Sequence, residues 1–323
     1  MAVLTAAEGR TLYTTRFALM GGEAVLHFVD DRGREAATRL TREAVAEARR
    51  IEAKFSRYRP TSLVSQINDA AGECPVVIDD ETELLIRAAL ELTDLTEGRF
   101  DPTIGVLRRV WNFREGVIPS EASLQALLPK VDAGAVSLRY GTVQLAREGM
   151  ELDLGGVGKE YAADRVAELL KESGVESALV NFLGDVRTVG RRGDGRPWVI
   201  GVQDPREPGR CRFAIRAQAG CGVATSGDYE RGFEQDGIRY HHILDATTGQ
   251  PARGIASVTV IAPTAFEAGR LSTAVFLLGP ERGLRLLEAA PSVEGAIITD
   301  RGVLLATTGM AAISNLPARS ACA

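Results

Sequence analysis

A chain of 323 residues, 45% hydrophobic and 25% charged, is long enough to bury a sizeable core and has an ordinary globular composition. Its net charge of -5 excludes the basic footprint of a nucleic-acid or anionic-membrane binder, so an anionic ligand must be held by local groups. No apolar run approaches the ~18 residues of a membrane span, and the start lacks a cationic segment before an apolar stretch; a cytoplasmic protein without membrane insertion is expected. Cys74, Cys211, Cys221 and Cys322 show no CxxC spacing, and three histidines are too few for a His-rich metal site, so reduced thiols are expected.

In chain order, residues 24–28 read as a first strand after the "MGG" turn. Residues 41–55 follow as an amphipathic helix, with Val45, Ala48, Ile51 and Phe55 at helical spacing. A second helix over 81–96 is closed by Gly98. A short strand at 151–154 leads into a helix over 159–173 that ends at Gly174. Strands at 177–181 and 198–203 flank the turn-rich "RRGDGRP". A strand at 257–261 feeds the helix of "TAFEAGRLSTAVFLLGP", stopped by Gly279 and Pro280, and 296–299 with 303–306 form a terminal hairpin. Strand pairs interleave with helices without strict βα alternation, which predicts an α+β fold with mixed or antiparallel sheets and packed helices.

Four segments carry polar groups suited to chemistry. In "LDLGGVGKEYAAD", Gly155, Gly156 and Gly158 follow a strand and open a helix, so backbone N–H groups can face an anion beside Lys159. It is not a P-loop, because Asp153 and Glu160 stand where that motif needs Gly and Ser or Thr; a tight strand–helix turn is the alternative. In "HHILDATTGQPA", only one of His241 and His242 can share a strand face with a ligand, and a His–Asp pair with Asp245 suits proton transfer or phosphate binding. A structural role for the histidine pair is the simpler reading. Arg99 and Asp101 lie in a Gly/Pro-bounded turn where Asp101 can also act as a cap, and Tyr58 lies in a loop where its ring can stack on a base. Thr264 and Glu267 make a T-x-x-E capping box at the last long helix, which accounts for Glu267 without a ligand.

Taken in order, "MGG", "FSRYRPTSLVSQIN", "GRFDPTIGVL" with "WNF", "LDLGGVGKEYAAD", "NFLGDVRTVG", "PWVIGVQDP", "ATSGDYERGF", "HHILDATTGQPA", "SVTVIAP" and "LSTAVFLLG" resemble the FAD:protein FMN transferases, the ApbE family. The resemblance covers residues 16–309, leaving 1–15 as an N-terminal extension and 310–323 as a loose tail. It implies a T-fold-like α+β architecture. It also implies magnesium-dependent transfer of FMN from FAD to a threonine hydroxyl of an acceptor flavoprotein, with release of AMP. By motif, Met20, Tyr58, Arg99, Phe100, Asp101, Asp153, Lys159 and Ile243 would line the FAD site. The Gly156 carbonyl with Ser272 and Thr273 would hold Mg2+, and His242 with Asp245 would assist proton transfer or positioning.

The chain departs from the family pattern where it matters for the metal. The family's "ADALST" becomes "AGRLST", so Gly269 replaces the acid that ligates magnesium and Arg270 stands beside it. The family's "GGIAKG" becomes "GGVGKE", with Glu160 for glycine, and "GGD" becomes "LGD" at Leu183. Compensation by Glu160, Asp245 or Arg270 is one expectation. The other is a FAD-binding protein with weak or no catalysis.

Overall fold

The computed structural model describes residues 2–5 and 11–316. Its first half runs β1 (Ala2–Thr5), β2 (Thr11–Leu19), β3 (Gly22–Val29), α1 (Arg34–Phe55), α2 (Leu63–Asp69), β4 (Val76–Val77), α3 (Asp80–Leu95), α4 (Glu121–Leu127), β5 (Val136–Arg139), β6 (Thr142–Leu145) and α5 (Gly158–Glu172). Its second half runs β7 (Ala178–Phe182), β8 (Asp185–Val189), β9 (Trp198–Gln203), β10 (Cys211–Ala217), β11 (Gly222–Gly227), β12 (Gly232–Gln235), β13 (Ile238–His241), β14 (Leu244–Asp245), β15 (Gln250–Pro251), β16 (Ile255–Ala262), α6 (Ala265–Leu278), α7 (Pro280–Ala289), β17 (Glu294–Thr299), β18 (Leu304–Ala306) and α8 (Met310–Ile313).

The expected α+β fold is what forms: one nine-stranded sheet in the order β1-β2-β3-β7-β8-β11-β16-β17-β18. Every neighbouring pair in it is antiparallel. All eight residues of "IASVTVIA" in β16 are buried, as a central strand covered on both faces requires. On one face α1, α5 and α6 close the main core around Phe28, Phe182 and Phe276. On the other, the β9–β10 hairpin packs Val202, Phe213 and Ile215 against Val186, Val223 and Ile261 of the sheet. A third cluster, around Val106, Leu107, Trp111, Leu124 and Leu244, builds the wall beside the candidate site.

Several elements extend beyond their expected bounds. The "MGG" turn joins two paired strands, because Met20 (φ 47°) and Gly21 (φ 81°) form the left-handed centre of a tight hairpin. The proposed boundary at residue 16 therefore falls inside β2. The first helix starts at Arg34, seven residues before the expected start at 41, on a Gly33 cap without a side-chain bond. The strand expected at 151–154 reduces to a single bridge between Glu151 and Ile104. The expected loose tail begins as α8, with Met310 buried and the Asn315 side-chain oxygen accepting the Ala214 N–H at 2.7 Å; residues 317–323 lie outside the described ones. Cys74, Cys211 and Cys221 are free thiols, and Cys322 lies outside the described residues. No helix among the described residues is long and apolar enough to cross a membrane.

Candidate active site

The glycine turn sits at the start of α5. Gly158 N–H donates to the Leu154 carbonyl at 2.9 Å, and Gly155 N–H donates to Asp153 Oδ1 at 2.8 Å. A Cβ on Gly156 would meet the Phe100 ring at 3.0 Å, so the ring of the "GRFD" turn closes over the glycine stretch. The helix then presents Lys159 and Glu160 from its first turn, where the dipole is positive.

Lys159 Nζ lies 2.6 Å from Asp185 Oδ2 and 3.6 Å from Glu160 Oε1. Burial opposes charge on this lysine, but Asp185 and Glu160 outweigh it and raise its pKa. In Glu160 burial wins instead: it pushes the carboxyl up to about 7, against the pull of Lys159. Asp185 is placed by the Leu183–Gly184 turn, whose two residues both have positive φ and hand the chain straight into β8.

Arg108, Arg231 and Lys159 all lie near enough to His242 for their charges to act on its ring. Arg57 and Arg108 hold Asp153 Oδ2 at 3.3 and 3.0 Å. Burial opposes the Asp153 charge, yet Arg108 and Arg57 keep its pKa below the ordinary carboxylate value. Arg231 reaches the β2–β3 turn, where a Cβ on Gly21 would lie 3.9 Å from Nη2. In the same turn Met20 N–H donates to Glu52 Oε1 at 2.6 Å. Tyr58 is exposed, with the Arg57 guanidinium 5.5 Å from its ring centre.

The adjacent histidines separate as strand geometry requires. His241 is buried, its Nε2 2.9 Å from the Ala252 carbonyl and its ring edge-on to Phe276, which is a core role. His242 is half-buried, with Nδ1 3.3 Å from the Arg231 carbonyl. Burial first, then Arg108 and Arg231, lower its pKa to about 3, so the ring is neutral. Ile243 packs against the main core and accepts the Ala252 N–H at 3.0 Å.

Asp245 is not paired with His242. Its Oδ2 binds Arg99 Nη1 at 2.7 Å, and its Oδ1 accepts Thr247 N–H at 3.0 Å and Thr247 Oγ1–H at 2.6 Å. Asp101 is likewise a local clamp: Thr103 N–H and Ala133 N–H each donate to it at 2.7 Å. Two sequence candidates thus hold loops in place, and the proton-transfer pairing expected of Asp245 is corrected to an Arg99 ion pair.

On α6, Thr264 Oγ1 accepts Glu267 N–H at 3.0 Å, and the Asp164 carboxylate of α5 accepts the N–H groups of Ala265 and Phe266 at 2.9 and 2.8 Å. The helix start is therefore satisfied by a capping threonine and a neighbouring helix. Two turns on, Ser226 Oγ lies 2.9 Å from Ser272 Oγ and 3.5 Å from Thr273 Oγ1. Arg270 turns away to Glu91 of α3 at 3.0 Å. Gly269 faces Glu160: a Cβ there would stand 2.7 Å from Cδ and 2.8 Å from Oε1.

Glu230, on which the charges of Lys159, Asp185 and Arg231 act, joins Asp185, Arg57, Arg108 and Arg231 as the residues that sequence reasoning missed. "LGD" and "RRV" carried signals for two of them, a carboxylate straight after a hairpin turn and a basic pair at a short helical turn. Arg231 and Glu230 have no local signature.

A glycine-opened helix whose lysine pairs with the buried Asp185 carboxylate, set against one antiparallel sheet, defines an α+β protein with local groups of the kind an anion needs. The chain belongs to the ApbE family, whose model matches residues 13–297. It is 37% identical to a FAD:protein FMN transferase of Treponema pallidum over 76% of this chain and 73% of the relative. It is 35% identical to one of Klebsiella pneumoniae over 80% of this chain and 82% of the relative. The crystal structure of the ApbE protein of Thermotoga maritima matches at a TM-score of 0.85 and 34% identity, covering 94% of this chain and 99% of that one. The flavin transferase ApbE of Vibrio cholerae matches at 0.85 and 28% identity, with the same coverage.

Proposed function

We propose that this chain is a FAD:protein FMN transferase, moving FMN from FAD to a threonine hydroxyl of an acceptor flavoprotein and releasing AMP. The threonine oxygen forms a bond to the FMN phosphorus, and the bridging P–O bond of the pyrophosphate breaks. AMP departs with that electron pair, and the hydroxyl proton must leave. The observation that carries the reading is the ion pair between Lys159, at the glycine-turned start of α5, and the buried Asp185. A lysine held in its charged form at a helix N-terminus is a combination suited to a pyrophosphate.

The chain's own residues divide the work. Phe100, Tyr58 and Ile243 offer apolar or aromatic surface for the flavin and adenine, Lys159 and the backbone of the glycine turn hold phosphate, and His242 is the group suited to accept the threonine proton. A neutral ring whose Nδ1 donates to the Arg231 carbonyl leaves Nε2 as an acceptor.

Magnesium dependence is part of the same proposal, and the local chemistry fits it. Ser272, Thr273 and the Gly156 carbonyl offer hard oxygen donors, the type Mg2+ prefers alongside substrate phosphates. Among the described residues no group of three or more His, Cys, Asp and Glu is arranged to hold a metal, so few carboxylates are on offer. What bound magnesium supplies is charge neutralisation and Lewis-acid polarisation of the pyrophosphate.

The test is mass spectrometry of a threonine-containing acceptor peptide incubated with the protein, FAD and Mg2+. An FMN adduct with stoichiometric AMP is the expected result. An unmodified peptide with FAD bound and intact would instead establish a binding protein without transfer.

A further inference from the structure

Two departures from the family pattern, far apart in sequence, meet in space. Gly269 on α6 lacks the expected acid, and Glu160 on α5 replaces an expected glycine. A Cβ on Gly269 would run into Glu160 Cγ and stand 2.7 Å from Cδ and 2.8 Å from Oε1. The Glu160 carboxylate thus fills the volume into which an acidic side chain at 269 would grow. A side chain at 269 and Glu160 in this conformation cannot share that volume, which couples the two changes.

The carboxylate is also unfinished. Glu160 is 5% exposed, and its Oε2 has no hydrogen-bond partner. Lys159, 3.6 Å from Oε1, gives its shorter contact to Asp185 at 2.6 Å. Buried carboxylate oxygens are satisfied by donors or metals in nearly all proteins, and an orphan one calls for an explanation. A structural acid that had taken up a proton would need an acceptor for it, and Oε2 has none. Thr273 lies one helical turn beyond Gly269, with Ser272 beside it and Ser226 opposite, so hydroxyl oxygens follow on the same helix. The other two candidates for replacing the lost acid are committed elsewhere: Asp245 to Arg99 at 2.7 Å and Arg270 to Glu91 at 3.0 Å.

We propose that Glu160 supplies the metal-facing carboxylate of this site in place of residue 269, an acid moved from one helix to its neighbour. The inference rests on the magnesium reading above. It makes Gly269 a requirement of the relocated ligand rather than a sign of a dead site.

The experiment is Mn2+ binding to the full chain with FAD present, followed by electron paramagnetic resonance, for wild type, Glu160→Gln, Gly269→Asp and the Glu160→Gly/Gly269→Asp double variant. Melting without metal, and FAD binding without metal by fluorescence, are measured alongside. Outer-shell partners of a metal typically cost 10–100-fold in affinity, so loss of a direct ligand in Glu160→Gln should cost at least about tenfold, with metal-free melting and FAD binding little changed. Gly269→Asp alone should melt lower, and the double variant should regain Mn2+ affinity to within a few-fold of wild type. Equal affinity in wild type and Glu160→Gln would overturn this inference while leaving magnesium dependence intact. Absence of Mn2+ binding in wild type with FAD bound would overturn both.

Discussion

Arg99 and Asp245 stand 146 positions apart, and a 2.7 Å ion pair joins the turn of the one to strand β14 of the other, each within a segment that carries part of the family resemblance. The Ala246 N–H also donates to the Arg99 carbonyl at 2.8 Å, so side chain and backbone latch together. Asp245→Asn keeps an oxygen for Thr247 and loses the charge on which Arg99 rests. Because Arg99 is partly exposed, the cost should be about 1–2 kcal/mol, read from urea unfolding. The acid limb of the pH–rate profile should stay where it is in the wild type, since Asp245 does not touch His242. A displaced limb would restore Asp245 as a proton-transfer partner.

Burial lowers the pKa of all three histidines from 6.5: His241 to about 4, His242 to about 3, and His27 in the same direction with help from Arg16. The folded state therefore binds fewer protons than the unfolded chain between about pH 3 and 6.5. Stability from these groups is complete above 6.5 and declines as pH falls through that window. Nuclear magnetic resonance of the imidazoles should show neutral rings at pH 5.5, and unfolding should be easier at pH 5 than at pH 7. A histidine titrating near 6.5 in the folded protein would contradict the burial argument.

How much of this was legible beforehand depends on where the information lies. The helix and strand periods of α3, α5, β9 and β16 are local, and their positions agree with the pattern to within a residue or two. β2 was not recognised, because its alternation in "TLYTTRFAL" is blurred by polar and small residues, and its partner strand supplies the register. The glycine turn and Lys159 stood out because their geometry is written in consecutive residues. Asp185, Arg231 and the exchange between Glu160 and Gly269 depend on chain segments meeting in space, which a single sequence does not encode locally. The pairing of Asp245 with Arg99 rather than His242 is hidden for the same reason, since the two residues meet only in the folded chain.

Tyr140 and Gly141 turn β5 into β6 with φ of 52° and 70°, the left-handed pair that a tight hairpin demands. A tyrosine bears this conformation at a cost, and its side chain is wholly exposed, so no packing offsets it. Tyr140→Asn places the preferred residue at the first central position. The variant should be more stable by about 0.5–1 kcal/mol, with unchanged FAD binding. Chemical denaturation decides the matter, and an unchanged midpoint would mean that the turn carries no strain worth relieving.

Asp185 gives the sharpest test of the phosphate cradle, because it competes with any anion for Lys159. The two groups are 2.6 Å apart, with Asp185 buried and Lys159 partly so. Asp185→Asn preserves shape and an acceptor oxygen while removing the counter-charge, leaving a cation at a helix N-terminus. Loss of the pair should destabilise the fold by about 1–3 kcal/mol, discounted for the solvent that reaches Lys159. The same change should increase the affinity for inorganic pyrophosphate, since the anion no longer displaces a carboxylate. Mass action then predicts that millimolar pyrophosphate raises the melting temperature of the variant more than that of the wild type, with each tenfold excess over Kd worth about 1.4 kcal/mol. Equal shifts in the two proteins would mean that Lys159 does not face the anion, and the cradle would have to be assigned to the arginines around Asp153 instead.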